Sequence, residues 1–221
     1  MSQLDCDPMF ADRQDAGERL ANRLKDTRWS DPLVLGLARG GVPIAWRVAQ
    51  ALDAALDVAV ARKIGLPGHP EFGVGAVTTD GPARYDHSTL DRLELSPDDL
   101  REVCERERSE ARRRLQRYRQ GMPAPQVAGR DELLVDDGLV TGVTARAALG
   151  QLRTAGPKRL VFAAPGVRPR QPASAADGRG RRRCRVPLHP DTVRRGRAWY
   201  HDFRPTTDDD VLAVLAGRCA T

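Results

Sequence analysis

Apolar positions along this chain follow two alternating periods. Ala16, Leu20 and Leu24 fall on one face at helical spacing, which predicts a helix from Asp12 to Leu24. The run PLVLGL (Pro32–Leu37) has strand length, and after ARGG the stretch VPIAWRVAQAL returns to helical spacing. LDVAVARKIG (Leu56–Gly65) reads as a second strand ending in two cations. DELLVD is a third strand, TARAALGQLRTAG a helix closing on Gly156, and KRLVFAAP a fourth strand. Strand and helix alternate with short connections, which argues for an α/β domain with a central parallel β-sheet flanked by helices.

Three stretches interrupt that rhythm. Leu66–Tyr85 is rich in Gly and Pro and reads as an excursion of loops and short strands. Ser96 is a good N-cap for a long helix: Pro97 fits the first position, Asp98 and Asp99 suit its positive end, and Gly121 and Pro123 stop it. The many Arg and Glu residues of that helix sit at i,i+3 and i,i+4 spacing, which reads as a solvated face rather than a nucleic-acid stripe. TTDDDVLAVLAG forms a final helix capped by Thr206 or Thr207, with Val211, Leu212 and Leu215 available for packing.

With 221 residues the chain suits one sizeable domain, 1–221, with a core of about 10–165. The net charge of +6 invites a nucleic-acid reading until it is located. Ten arginines and two aspartates between Val167 and Ala198 give a local +8, which leaves the rest of the chain at −2. The basicity belongs to one segment, so nucleic acid is not the expected partner. Cys6, Cys104, Cys184 and Cys219 form no ligand pattern and read as reduced thiols of a cytoplasmic protein. No basic-then-apolar signal opens the chain, and no apolar run reaches membrane-spanning length.

The stretch LLVDDGLVTGVT (Leu133–Thr144) carries the chemistry. Parallel sheets bind ligands beyond the carboxyl ends of their strands, and Asp136 and Asp137 lie at such an end. Unpaired carboxylates are costly to bury, so both are expected to face an open crevice and to accept hydrogen bonds from vicinal sugar hydroxyls. Gly138, Leu139, Val140, Thr141 and Gly142 then form a turn. Its backbone N–H groups, with that of Val143 and the hydroxyls of Thr141 and Thr144, precede a helix and make an anion site. Two sugar acceptors followed by a phosphate cradle describe a ribose 5-phosphate pocket.

These residues resemble the phosphoribosyl pyrophosphate (PRPP) motif of type I phosphoribosyltransferases. LARGGVPIA (Leu37–Ala45) resembles that family's pyrophosphate loop, with Arg39 as its base and Gly40–Gly41 allowing close backbone approach. ARKIG places Arg62 and Lys63 where family members carry PRPP-contacting cations, and Leu66–Tyr85 matches the flexible loop and small hood. PGHPEFGVGAV resembles a bacterial branch of the family. The resemblance implies the family's fold, a Mg²⁺ ion held mainly by PRPP oxygens and water without dedicated protein ligands, and transfer of the phosphoribosyl group to a nitrogenous base with release of pyrophosphate. A homodimer is a further family expectation. The 6-oxopurine salvage enzymes carry a base-contacting aspartate where this chain has Val140, which weighs against hypoxanthine or guanine as acceptor. A non-catalytic PRPP or nucleotide sensor and an inactive relic are the alternative readings.

Residues 168–197 break the pattern. A helix and a fifth strand are due, but the segment has no apolar periodicity. A disordered basic arm is one reading. The preferred one follows from back-translation with G/C-rich codons: read one nucleotide later, Gly180–Arg197 can encode Ala-Asp-Asp-Val-Val-Val-Cys-Pro-Tyr-Thr-Pro-Thr-Pro-Phe-Gly-Ala-Val-Gly. That supplies an apolar strand leading into Trp199–Phe203. Two compensating frame changes would then have disrupted the fifth strand, ahead of the C-terminal helix region 199–221.

Overall fold

The computed structural model describes residues 9–138, 142–165 and 199–217. In chain order the elements are α1 (Arg13–Leu24), β1 (Pro32–Leu37), α2 (Gly41–Leu52), β2 (Ala55–Ala59), β3 (Ala61–Leu66), β4 (His69–Thr78) and β5 (Arg84–Tyr85). There follow α3 (His87–Arg92), α4 (Arg101–Arg119), β6 (Asp131–Val135), α5 (Val143–Thr154), β7 (Arg159–Ala163) and α6 (Asp208–Gly217).

Strands β2, β1, β6 and β7 form a parallel sheet in that order. Alternation along each strand sends two apolar sets to opposite faces. Val34, Val58, Leu133 and Val135 pack with Ile44 and Val48 of α2, Ala16 of α1, and Val211 and Leu215 of α6. Leu33, Leu35, Leu37, Leu134 and Phe162 pack with Ala145 and Ala148 of α5. From β1 the chain crosses by α2 to β2 on one side, and from β6 it crosses by α5 to β7 on the other. Crossovers running in opposite directions put their helices on opposite faces. The sheet therefore changes winding direction between β1 and β6, where a crevice opens at the carboxyl ends.

The second predicted strand is in fact two. Leu56–Val58 lie in the parallel sheet, but from Ala61 the chain pairs antiparallel with β4 in a separate β3–β4–β5 hood. Leu66–Tyr85 contains the ten-residue strand β4 rather than only loops and short strands. Ile64, Val74, Val77, Leu90, Leu100 and Cys104 give the hood its own core. This cluster stabilises β4 although the Gly/Pro content argues against a strand.

Ser96 caps as expected, in a capping box with Asp99, but the turn it opens is 3-10 (Pro97–Leu100) and α4 begins only at Arg101. The solvated-face reading of α4 also needs correction. Arg108 donates to the carbonyls of Thr78 (3.2 Å) and Gly81 (2.8 Å), and Arg112 donates to that of Thr79 (2.9 Å), so α4 grips the hood. Further along, Arg117 pairs with Asp208 and Asp209, and Arg119 with buried Asp57. Thr207 is the α6 cap: its N–H donates to Asp210 and its hydroxyl accepts from the Asp210 N–H. Residues 168–197, with the disrupted strand and frame reading, lie outside the described residues, as do Leu139, Val140 and Thr141. Among the described residues no helix is long and apolar enough to cross a membrane.

Candidate active site

The two motif loops leave adjacent strands. Gly36 of β1 pairs with Val135 of β6, so Ala38–Gly41 and Asp136–Gly138 emerge side by side at the crevice. The approach is close enough to require glycine. A Cβ on Gly40 would overlap Asp137 Oδ2, and one on Gly41 would overlap the Val135 carbonyl and come within 2.9 Å of Asp136 Cα. The peptide between Ala38 and Arg39 is cis. Asp136 is held at the sheet edge by its N–H, which donates to the Ala163 carbonyl at 3.1 Å.

The two acids do not share one environment, and neither simply faces an open crevice as expected. Burial and then the neighbouring Asp137 charge push the Asp136 carboxyl well above its ordinary range. The Asp137 N–H donated to Asp136 Oδ1 at 2.9 Å and the nearby Arg13 oppose that rise. Asp137 is ion-paired with Arg13, whose Nε and Nη2 both donate to Oδ2, at 2.9 and 2.7 Å. The Tyr200 hydroxyl donates to the Asp137 carbonyl at 2.7 Å; burial and the Asp137 charge push that phenol up, which keeps it a donor.

Following the 139–141 stretch, Gly142 stands in the left-handed region (φ 69°) and opens α5. Among the described residues no side chain caps this helix, and its first turn, which holds Thr144, carries no acidic residue, a start of the kind at which backbone N–H groups can receive an anion.

Residues 11–175 match the phosphoribosyl transferase domain family. This chain belongs to that family. It is 37% identical over 208 residues to a Mycobacterium tuberculosis (strain H37Rv) protein named "Putative phosphoribosyl transferase", with 94% of this chain and 46% of the relative covered. The chain thus spans less than half the length of that curated relative. It is also similar to the crystal structure of TT1426 from Thermus thermophilus, at 32% identity and a TM-score of 0.64, covering 94% of this chain and 98% of the other. The parallel sheet, flanking helices and hood form the type I phosphoribosyltransferase fold.

In this phosphoribosyltransferase domain the predicted cations gather apart from the acids. Arg39, Arg62 and Lys63 line a cleft of about 430 Å³ between the Ala38–Arg39 turn, the hood and α4, together with Arg106 and Arg114. Asp136 and Asp137 are not among its walls. The Arg39–Gly41 loop therefore has the acids on one side and the cationic cleft on the other. Arg62 is held by Glu107 at 2.6 Å, and Arg39 reaches Asp208 of α6 at 3.5 Å. Asp208 is itself fixed by Arg117 and by the Tyr118 hydroxyl at 2.7 Å.

Sequence reasoning missed Arg13, Tyr200 and Asp208. Arg13 lies 124 residues from the acid it binds. Nothing local to Arg13, in an amphipathic helix, marks it as a site residue.

Proposed function

We propose that the domain uses Mg-PRPP and transfers its 5-phosphoribosyl group to a nitrogenous acceptor, releasing pyrophosphate. The observation that carries this reading is the contact of Gly40–Gly41 with the Asp136–Asp137 edge. It brings a glycine turn against a pair of carboxylates, with the basic cleft of Arg39 on the far side of that turn and the start of α5 following the acids.

Each part has a task in that reaction. Asp136 and Asp137 accept the ribose hydroxyls, and the Gly138–Thr144 loop takes the 5-phosphate through backbone N–H groups and the Thr141 and Thr144 hydroxyls. Arg39 and the Gly40–Gly41 backbone face the diphosphate, with Arg62 and Lys63 adding positive field from the cleft behind. As the bond at C1 lengthens, negative charge grows on the leaving pyrophosphate and positive charge on the sugar. Fixed cations on one side and carboxylates on the other stabilise that separation, and the protein otherwise acts by positioning.

The donor set also fits magnesium. Two hard carboxylates beside a phosphate site suit an ion that keeps most of its shell as water and phosphate oxygens. When bound, Mg²⁺ would neutralise diphosphate charge, and Asp136 and Asp137 are the residues that would contact its shell.

Calorimetry with Mg-PRPP tests the reading, beside an Asp136→Asn/Asp137→Asn double variant, followed by pyrophosphate release with a panel of nucleobases. Binding by the wild type that the double variant loses is the expected result. A folded wild type that does not bind PRPP would overturn the proposal, and binding without turnover of any base would move it to a PRPP sensor.

A further inference from the structure

Three distant pieces of chain meet at one carboxylate. Arg13, the first residue of α1, places Nε and Nη2 on the same oxygen of Asp137, Oδ2. Its third nitrogen, Nη1, donates to the Arg204 carbonyl at 2.7 Å. The guanidinium lies 4.0 Å from the Phe203 ring centroid and 5.9 Å from that of Tyr200. Tyr200 and Phe203 stack at 4.9 Å, and backbone hydrogen bonds fasten their segment to the start of the chain. Phe10 N–H donates to the Trp199 carbonyl, His201 N–H to that of Phe10, and Asp202 N–H to that of Ala11, at 2.8–2.9 Å. The Arg13 side chain is 12% exposed. All three of its nitrogens are thus engaged, with the Phe203 ring against the guanidinium.

This grip is one-sided. Both Arg13 donors take Oδ2, and among the described residues none donates to Oδ1 of Asp137. Two donors on Oδ2 restrict rotation of the carboxylate, and Oδ1 keeps a preferred direction with lone pairs to which no described residue donates. Two adjacent carboxylates also repel each other, and a cation on one of them offsets that repulsion. A surface pair placed only for stability needs neither the shared oxygen nor the aromatic backing, and contributes little.

The geometry points to Arg13 as a positioning residue that fixes Asp137 to receive a vicinal diol, the ribose hydroxyl pair of PRPP, with Phe203 and Arg204 holding the guanidinium in place. This rests on the proposed function, because it takes the ribose to lie at the two acids. Arg13 itself touches no substrate. Its effect is preorganisation: an acceptor already aimed loses less freedom when the sugar arrives.

The inference makes a ligand-selective prediction. In the presence of Mg²⁺, PRPP, ribose 5-phosphate and pyrophosphate are titrated into wild type, Arg13→Ala and Arg13→Lys, with thermal unfolding and circular dichroism to establish the fold of each. Arg13→Ala is expected to weaken PRPP and ribose 5-phosphate roughly tenfold to a hundredfold, the range for losing a hydrogen bond to a charged group. Pyrophosphate, which has no diol, should stay within about twofold on the same grounds. Arg13→Lys should recover part of the loss, since it keeps the charge without the paired donors. Equal losses for all three ligands would show a merely structural role and overturn the inference, as would no loss at all. Should Arg13→Ala not fold, Phe203→Leu removes only the ring under the guanidinium and must show the same selectivity at smaller size. A wild type that binds none of the three overturns the proposed function and this inference with it. A wild type that binds all three beside unselective variants overturns the inference alone.

Discussion

Glu132 is the residue least at ease in this fold. It sits in the second position of β6, wholly buried, and neither carboxylate oxygen has a hydrogen-bond partner among the described residues. With Asp57 and Arg119 it lines a cavity of about 100 Å³ under α5. Burial pushes its carboxyl up to about 7, against a small pull from Arg130. The folded state therefore binds a proton that the unfolded chain has released above its ordinary value of 4.5. Stability should fall as pH rises from 4.5 to 7, and the full penalty of roughly 3 kcal/mol should be present at pH 8. Asp136, also raised, has the same sign. Glu132→Leu removes the charge and fills the space. Urea unfolding at pH 5.5 and pH 8 should show the variant more stable than wild type at pH 8, with a smaller difference between the two pH values. A variant no more stable at pH 8 would mean that the carboxylate is already satisfied.

At the scale of elements, the site depends on how closely the turn entering α2 approaches the end of β6. Gly41→Ala pushes its new methyl into the Val135 carbonyl, which is backbone and cannot rotate away. Overpacking of this kind costs about 1–3 kcal/mol. The expected outcome is a modest fall in Tm with a much larger loss of PRPP binding, because the strain parts the two loops that form the crevice. Unchanged PRPP affinity would show that the approach is not needed. The hood offers a second test. α4 holds it through Arg108 and Arg112, so Arg108→Ala/Arg112→Ala should speed amide exchange in β4 and leave β1 and β6 protected. Equal exchange in wild type and variant would show that the hood core alone holds it.

Over the whole molecule, the first and last described segments close on each other and on the site. Phe10 and Tyr200 form a parallel bridge, Val211 and Leu215 of α6 fill the core beside α2, and Asp208 reaches Arg39. The ten arginines of 168–197 lie between this closing segment and β7 in the sequence. We expect a chain in which the shifted-frame sequence replaces 180–197 to unfold at a higher temperature than the present chain by calorimetry, since it restores apolar residues for burial. Equal or lower Tm would sink the frame reading, as would DNA reads that match the present frame in a chain of unimpaired stability.

The alternation of periods specified the helices and parallel strands, because period-2 and period-3.6 burial leave different marks on neighbouring residues. The acids, glycines and basic residue of the two loops were also legible, since each loop is continuous in sequence and its chemistry follows from residue order. The sequence was less informative wherever the deciding neighbour is remote. It did not show that Leu56–Gly65 divides between two sheets, because hydrogen-bond partners and not propensity break the run at Val60. The hydrogen bonds to the hood and the ion pairs to α6 that turn the α4 arginines from a solvated face into a clamp were likewise hidden. Charge spacing within a helix records only neighbours three and four positions away. The environments of Asp136 and Asp137 were misread for the same reason. Two identical residues side by side differ here because Arg13 and Tyr200, brought in from opposite ends of the chain, bind one of them and leave the other to burial. By itself the sequence determined which groups the two loops carry; tertiary structure decided what else joins them and which are buried or paired, because burial and ion pairing depend on what folding brings within a few ångströms.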